Sequence, residues 1–310
     1  MKYYYVFCIG VILAFTFSTL IQQLINGLSL GSVYALIAVG YSLVYSILLF
    51  SNFAHGGFLV VGGYACYFLL TQWGHGVVVS MTGALFASGA TAIVTERLAY
   101  KPIRERTSLT LYLLIASMGV NIIIENLFVV TVGGRIRALP QNTFPTGIFN
   151  LGGGVTLSAS DIISLATAVI FLLLLQIFLN RTRWGLAIRA AACDIRTAGL
   201  MGVNVTFLIS LVFFVAGVLA AVGGIFLSVR YSLYPQLGSI TTKAFIAAVI
   251  GGLGSLPGAV VGSLILGLAE MLTAGFISSQ MRDLVVYSLL VIMLLIRPAG
   301  FFGKAVSEKI

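Results

Sequence analysis

Apolar runs long enough to cross a bilayer follow one another along almost the whole chain, with short polar intervals between them. A spanning helix needs about 20 predominantly apolar residues. Candidate spans read at 4–25, 28–50, 57–71, 76–95, 109–131, 161–179, 207–229, 241–255, 258–278 and 284–300. Only 8% of the 310 residues are charged and 60% are hydrophobic. A soluble domain carries roughly 25% charged residues, so this chain cannot cover a water-facing surface. Transmembrane barrels show alternating strands of about ten residues, and none is visible. The expected fold is all-α: one polytopic integral membrane helical bundle over 1–310, with about eight to ten transmembrane helices, some short or broken.

The net charge of +9 does not point to nucleic acid, because the basic residues sit in short loops between apolar spans. That placement marks cytoplasmic loops. Segment 96–107 holds Arg97, Lys101, Arg104 and Arg106, and segment 181–196 holds Arg181, Arg183, Arg189 and Arg196. Segment 132–160 between them is then external. Ten crossings place both termini inside, in agreement with Lys2, Arg297, Lys304 and Lys309. If 241–255 only dips in and returns, nine crossings leave the C-terminus outside. Ten is the expectation. The first 20 residues read as a retained helix rather than a cleaved signal, since they lack an A-x-A site and another span follows at once. Cys8, Cys66 and Cys193 show no metal or disulfide spacing and read as small packing residues.

Catalytic motifs fail on context. "GLSLG" at 27–31 matches G-x-S-x-G with Ser29 as nucleophile, but that elbow joins a strand to a helix and needs a His and an acid. The chain has only His55 and His75. The same residues fit G-x-x-x-G, which lets membrane helices approach closely. There is no zinc motif and no P-loop. Gly252-Leu253-Gly254 begins like a dinucleotide fingerprint, but Pro257 occupies the third glycine position. No catalytic residue, metal site or cofactor is expected on this chain.

Three stretches carry chemistry or shape. Glu125 and Glu270 lie inside spans, where a charge is costly and faces a cavity or a partner. They read either as part of a substrate pathway or proton relay, or as interior carboxylates hydrogen-bonded to neighbouring helices. "SNFAHGGF" at 51–58 offers Asn52, His55 and Gly56 at a break, as an irregular segment lining a cavity or as an interfacial turn. "GLAIRAAACDIRTAGLMGVN" at 185–204 reads as a short amphipathic helix with Arg189 and Arg196 on one face. It serves either to dock a partner or to fix topology. "IGGLGSLPGAVVG" at 250–262 breaks a span. Gly251, Gly252 and Gly254 end a short helix and Pro257 restarts the next near its first turn. Gly254, Gly258 and Gly262 then lay a glycine face along that helix.

Taken together, "NFAHG" (52–56), the 185–204 loop and "GGLGSLPGAVVGSLILGLAE" (251–270) resemble the LivH-type permeases of branched-chain amino-acid ABC importers. "NGLSLGSVYALIAVGYSLVYSI" (26–47) is similar to the same family's early span. The resemblance runs from about residue 20 to the C-terminus. It implies a multi-pass subunit of the bacterial inner membrane that forms a translocation path with a second, LivM-type permease. Two cytoplasmic ATPases would bind the ATP, and a periplasmic binding protein would deliver the amino acid. It makes Gly185, Arg189, Asp194, Gly202 and Asn204 the ATPase-coupling positions, and leaves Asn52, His55, Gly56, Glu125 and Glu270 as candidates along the path. One departure is Cys193, where the family often has an acid. An ion-coupled secondary transporter and a permease for urea or short amides are the competing expectations.

Overall fold

The structure is a computed structural model that describes residues 2–303 except 108, 141–143, 146 and 153; side chains are described from residue 17 onward, except that of residue 151. Lys2, Cys8, Lys304 and Lys309 therefore lie outside the described side chains. The chain folds into helices α1 (Lys2–Leu48), α2 (His55–Thr71), α3 (Val77–Thr95), α4 (Lys101–Arg106), α5 (Thr110–Val132), α6 (Ala159–Arg181), α7 (Arg183–Cys193), α8 (Ile195–Leu200), α9 (Val205–Tyr231), α10 (Thr241–Gly251), α11 (Leu256–Phe276) and α12 (Arg282–Ile296). A π-helical turn, Glu96–Tyr100, joins α3 to α4. Between α5 and α6 lies a two-stranded antiparallel hairpin, β1 (Ile148–Gly152) and β2 (Val155–Ser158).

Seven helices of the described residues are long and apolar enough to cross a membrane, and α2, with 17 residues, is a shorter apolar one. The protein is a multi-pass membrane bundle. The ten-span reading changes at two places. First, 4–25 and 28–50 form one helix, α1, with Asn26 and Gly27 inside it. Tertiary packing overrides the local break signal here. A Cβ on Gly27 would meet the Leu268 backbone at 2.9 Å, and one on Gly31 would meet the Ser263 carbonyl at 2.9 Å. The G-x-x-x-G face of α1 is thus pressed onto α11, where Gly267 answers it. This is the close approach that small residues permit between membrane helices.

Second, 241–255 is not a full span. α10 has 11 residues, or about 16 Å of helix, roughly half of a hydrocarbon core about 30 Å thick. The rest of that passage is Ser232–Ile240, which contains the 3-10 turn Pro235–Ile240. Its outer end is tied to the external loop: Leu233 and Arg137 exchange two backbone hydrogen bonds of 2.7 and 2.8 Å. The inner end of α10 reaches the opposite end of the bundle, where Leu253 and Gly254 share a groove with Cys193 and Pro298. The passage therefore neither spans as one helix nor dips and returns; it crosses as an irregular half that includes a 3-10 turn and an α-helical half. The C-terminal residues Pro298–Gly303 lie at the end that carries the basic 181–204 loop.

A second broken passage mirrors the first. After α1 ends, residues 49–54 fold back beside it before α2 begins. A Cβ on Gly40 would sit 3.0 Å from the His55 ring and 3.3 Å from the Ala216 carbonyl. Ala216 is near the middle of α9, so α2 starts near mid-depth. The two breaks touch there. A Cβ on Gly56 would meet the Gly238 carbonyl at 2.7 Å, the Thr241 hydroxyl at 3.0 Å and Asn121 Oδ1 at 3.1 Å.

Candidate functional site

The basic loop is two helices, not one. Asp194 stops α7 and caps α8: its Oδ1 accepts from the Arg196 and Thr197 backbone N–H groups at 2.8 and 3.2 Å, and its Oδ2 accepts from the Thr197 hydroxyl at 2.6 Å. These bonds, the Thr197 hydroxyl first, hold the Asp194 carboxyl below its ordinary value. Arg189 and Arg196 consequently stand on different helices, so the expected single basic face is broken at Asp194. The remaining coupling positions each shape the loop. Gly185 sits against the Phe178 and Leu179 carbonyls at the end of α6, where no side chain fits. Gly202 has a φ of 90°, a conformation that favours glycine. Asn204 caps α9 by accepting from the Phe207 N–H at 3.0 Å. Arg189 donates to Asn180 at 2.9 Å. The outer surface of the loop is apolar as well as basic, since Leu186, Leu200 and Met201 are 61%, 88% and 81% exposed.

This loop adjoins the 250–262 break. Ala192 and Cys193 form one wall of a groove of about 1030 Å³. Tyr45 and Ser46 of α1, Leu253–Ser255 and Phe302 form the others. At the break, Gly252 has a φ of 106° and ends α10. Ser255 then caps α11, its hydroxyl accepting from the Gly258 N–H at 3.3 Å, with Pro257 in the first turn. Gly258 lies against the Gly251 carbonyl, and Gly262 against the Ala247 carbonyl and the Gly251 backbone. Gly254 departs from the expected glycine face. It lies outside α11 with a φ of 82° and faces Tyr45 and Ser46, because the helix does not begin until Leu256.

Within the bundle the candidates separate by burial. Asn52 and His55 are each 1% exposed. Asn52 Oδ1 accepts from the Tyr100 hydroxyl at 2.8 Å and the Ala54 N–H at 3.2 Å. His55 packs edge-on against Tyr41 and Phe58. In the break at 51–56, Asn52, Ala54, His55 and Gly56 are buried and Ser51 and Phe53 are half-buried. The break is irregular backbone largely enclosed by protein at membrane depth, a setting in which such backbone is tolerated.

Glu270, 1% exposed, accepts from Lys243 Nζ at 2.9 Å and from the Tyr34 hydroxyl at 3.0 Å. Lys243 also pairs with Asp283 at 2.8 Å. One ammonium thus ties the start of α10 to α11 and α12. Sequence reasoning missed Lys243, which reads as the polar edge of a short span; the only signal was a cation at the start of a run too short to cross. It also missed Glu96, fully buried, which accepts from Arg104 at 3.2 Å and Ser210 at 2.9 Å. Ser29, the would-be nucleophile, donates to Asp161 at 2.7 Å and lies 3.2 Å from Ser164. An acid is therefore present beside it, but the two histidines are elsewhere: His55 packs on α2, and His75 accompanies Trp73 in the loop after it. Glu125 differs from every other acid in a span. It is half-buried, accepts one bond of 2.9 Å from Asn121, and has no cationic partner among the described residues.

Residues 23–294 match the family described as "Branched-chain amino acid transport system / permease component". The chain is 38% identical to the high-affinity branched-chain amino acid transport system permease protein LivH of Escherichia coli, over 94% of this chain and 97% of that protein. It is equally similar to BraD of Pseudomonas aeruginosa, at 38% over 94% of this chain and 98% of that one. A probable LivH of Methanocaldococcus jannaschii is 28% identical over 88% of this chain and 89% of the relative. Among solved structures, PsaBC from Streptococcus pneumoniae in complex with Fab aligns with 91% of this chain and 92% of its own, at 15% identity and a TM-score of 0.48. The relatives are named as transport system permease proteins. On the match across 23–294 and on these identities, the chain belongs to the permease component family of branched-chain amino acid transport systems.

Proposed function

We propose that this chain is the membrane-spanning subunit of an ATP-driven importer of branched-chain amino acids in the bacterial inner membrane. The observation that carries the reading is the 38% identity to LivH and BraD along nearly the whole of both chains. The path is completed by a second, LivM-type permease, and a periplasmic binding protein delivers the substrate. ATP binds and is hydrolysed on two cytoplasmic ATPase subunits, and this chain holds no cofactor of its own. The α7–α8 pair is the element that docks on an ATPase. Its exposed Leu186, Leu200 and Met201 beside Arg189 and Arg196 suit a partner with an apolar groove rimmed by acids. ATP-driven closure of the ATPases moves the docked loop, and the membrane subunits alternate between two openings. Partners with different affinity for the two states supply the bias.

The test is uptake of radiolabelled leucine by proteoliposomes that contain the complete transporter and the binding protein. Uptake that requires ATP and the binding protein is the expected result. Uptake by this chain alone, driven by an ion gradient, overturns the reading in favour of a secondary transporter. ATP-dependent uptake of urea but not leucine moves the substrate class.

A further inference from the structure

Irregular backbone inside a membrane must be enclosed by protein or face water, since lipid offers no hydrogen bonds. The two breaks of this bundle meet that demand in different ways. The one at 51–56 is largely enclosed, with only Ser51 and Phe53 half-buried. The one at 235–240 is not: Gln236 and Ser239 are exposed on the 3-10 turn, although Gly238 between them touches Gly56 near mid-depth. The adjoining strip of α5 carries Asn121, whose Oδ1 reaches Gly56, and Glu125 one turn further on. Much of the outward surface of α6, by contrast, is apolar, with Ile162, Val169, Leu173 and Ile177 exposed. A polar, partly non-helical strip that includes an acid without a cation cannot rest against hydrocarbon.

We propose that the strip of Asn121, Glu125, Gln236 and Ser239 is the wall that this subunit contributes to a water-filled path, and that Glu125 receives the ammonium group of a passing amino-acid zwitterion. The placement of the wall follows from burial, depth and chemistry alone. The identity of the cation rests on the importer reading above. Glu125 suits the role because Asn121 donates to only one of its oxygens, Oε1, and the other is open to a ligand. Glu270 does not suit it, since it is 1% exposed and both of its oxygens already have a partner, Lys243 on one and Tyr34 on the other. Asn52 and His55 support the wall from behind, buried against α1, α9 and the π-helical turn.

Two measurements on the complete transporter in proteoliposomes test this. In a background with Cys8 and Cys193 replaced by Ser, Gln236→Cys and Ser239→Cys are treated with an anionic methanethiosulfonate, alongside Val169→Cys and Leu173→Cys. The reagent reacts with thiolates, which form in water and not in hydrocarbon, so the first pair reacts at least about tenfold faster than the second. Equal, slow labelling of all four overturns the wall. Separately, Glu125→Gln lowers kcat/KM for leucine uptake at least about tenfold, with Glu125→Asp recovering part of it and protein yield unchanged. Unchanged uptake by Glu125→Gln overturns the ammonium contact. The labelling result stands apart from the cargo: fast labelling at 236 and 239 without ATP-driven leucine uptake refutes the importer reading and leaves the wall in place.

Discussion

Replacing Lys243 by Met should be among the most damaging single changes in the bundle, and Glu270→Gln should rescue it. In the native protein the ammonium sits 2.9 Å from Glu270 and 2.8 Å from Asp283. Methionine keeps the length and apolar stem of lysine but removes the charge. Glu270, 1% exposed, is then a buried carboxylate with only the Tyr34 hydroxyl. Breaking a buried pair by removing one partner costs about 3–5 kcal/mol. The lower end applies here, because the Lys243 side chain is 19% exposed and Tyr34 still donates. At ~2 °C per kcal/mol for a chain of this size, the thermal midpoint in detergent should fall by about 6 °C. Adding Glu270→Gln removes the uncompensated charge and keeps an acceptor for Tyr34, so most of the loss should return. Asp283→Asn should cost about 1 kcal/mol or less, since that carboxylate is 67% exposed and surface pairs contribute little. The assay is a thermal midpoint at fixed scan rate for the three single variants and the double. A Lys243→Met midpoint within 1 °C of the parent, or a double variant less stable than Lys243→Met, refutes the reasoning.

Other changes follow from the same geometry. Gly258→Leu drives a side chain into the Gly251 backbone, so it should abolish assembly or transport, read by co-purification of the second permease and by uptake; normal transport would remove the close-packing argument. Ser29→Ala loses a hydroxyl bound to Asp161 and near Ser164, at a cost of about 1–2 kcal/mol; uptake should persist, whereas a hydrolase would lose its activity outright. Asp194→Ala removes the cap of α8 and should leave ATP hydrolysis less coupled to uptake, measured as amino acid transported per ATP consumed. With its carboxyl held below the ordinary value, the cap is fully present above the ordinary carboxylate pKa and is lost only as pH falls through the depressed one. Amide exchange at Arg196 and Thr197 should therefore stay protected at pH 5 and open only under stronger acid.

The class of the fold was legible because bilayer thickness sets span length, and span length is written in runs such as 207–229. The 250–262 break was legible too, since Gly252 and Pro257 act locally through backbone geometry. What escaped depended on distant partners. The G-x-x-x-G at Gly27 is legible as a packing face, but Asn26 and Gly27 read as a gap between two spans until Gly267 is placed against Gly27 inside one helix. Lys243 looks like a span edge until Glu270, 27 residues away in the chain, is seen beside it. The 3-10 turn at 235–240 hid because "YPQLGSI" reads as a surface loop, and only its contact with Gly56 places it at depth. Asp194 was singled out by resemblance alone. Its hydrogen bonds show why a short polar residue stands there, and why the loop turns at that point.

The crossing built from Ser232–Ile240 and α10 has a mechanical consequence. α10 is a short rigid rod. Its upper end rests at the crossing of Gly238 and Gly56, where two glycine backbones are in direct contact, and is tied there to α11 and α12 by Lys243. Its lower end leads into Leu253–Ser255, across a groove from Cys193. A rod of 11 residues is about 16 Å long, so a push of about 1 Å at the loop end tilts it by roughly 4°. A full-length helix pushed the same way would turn through about half that angle. With the crossing split in two, a given stroke at the loop end would turn the helical half through about twice the angle of a full-length helix, beside Gln236 and Ser239.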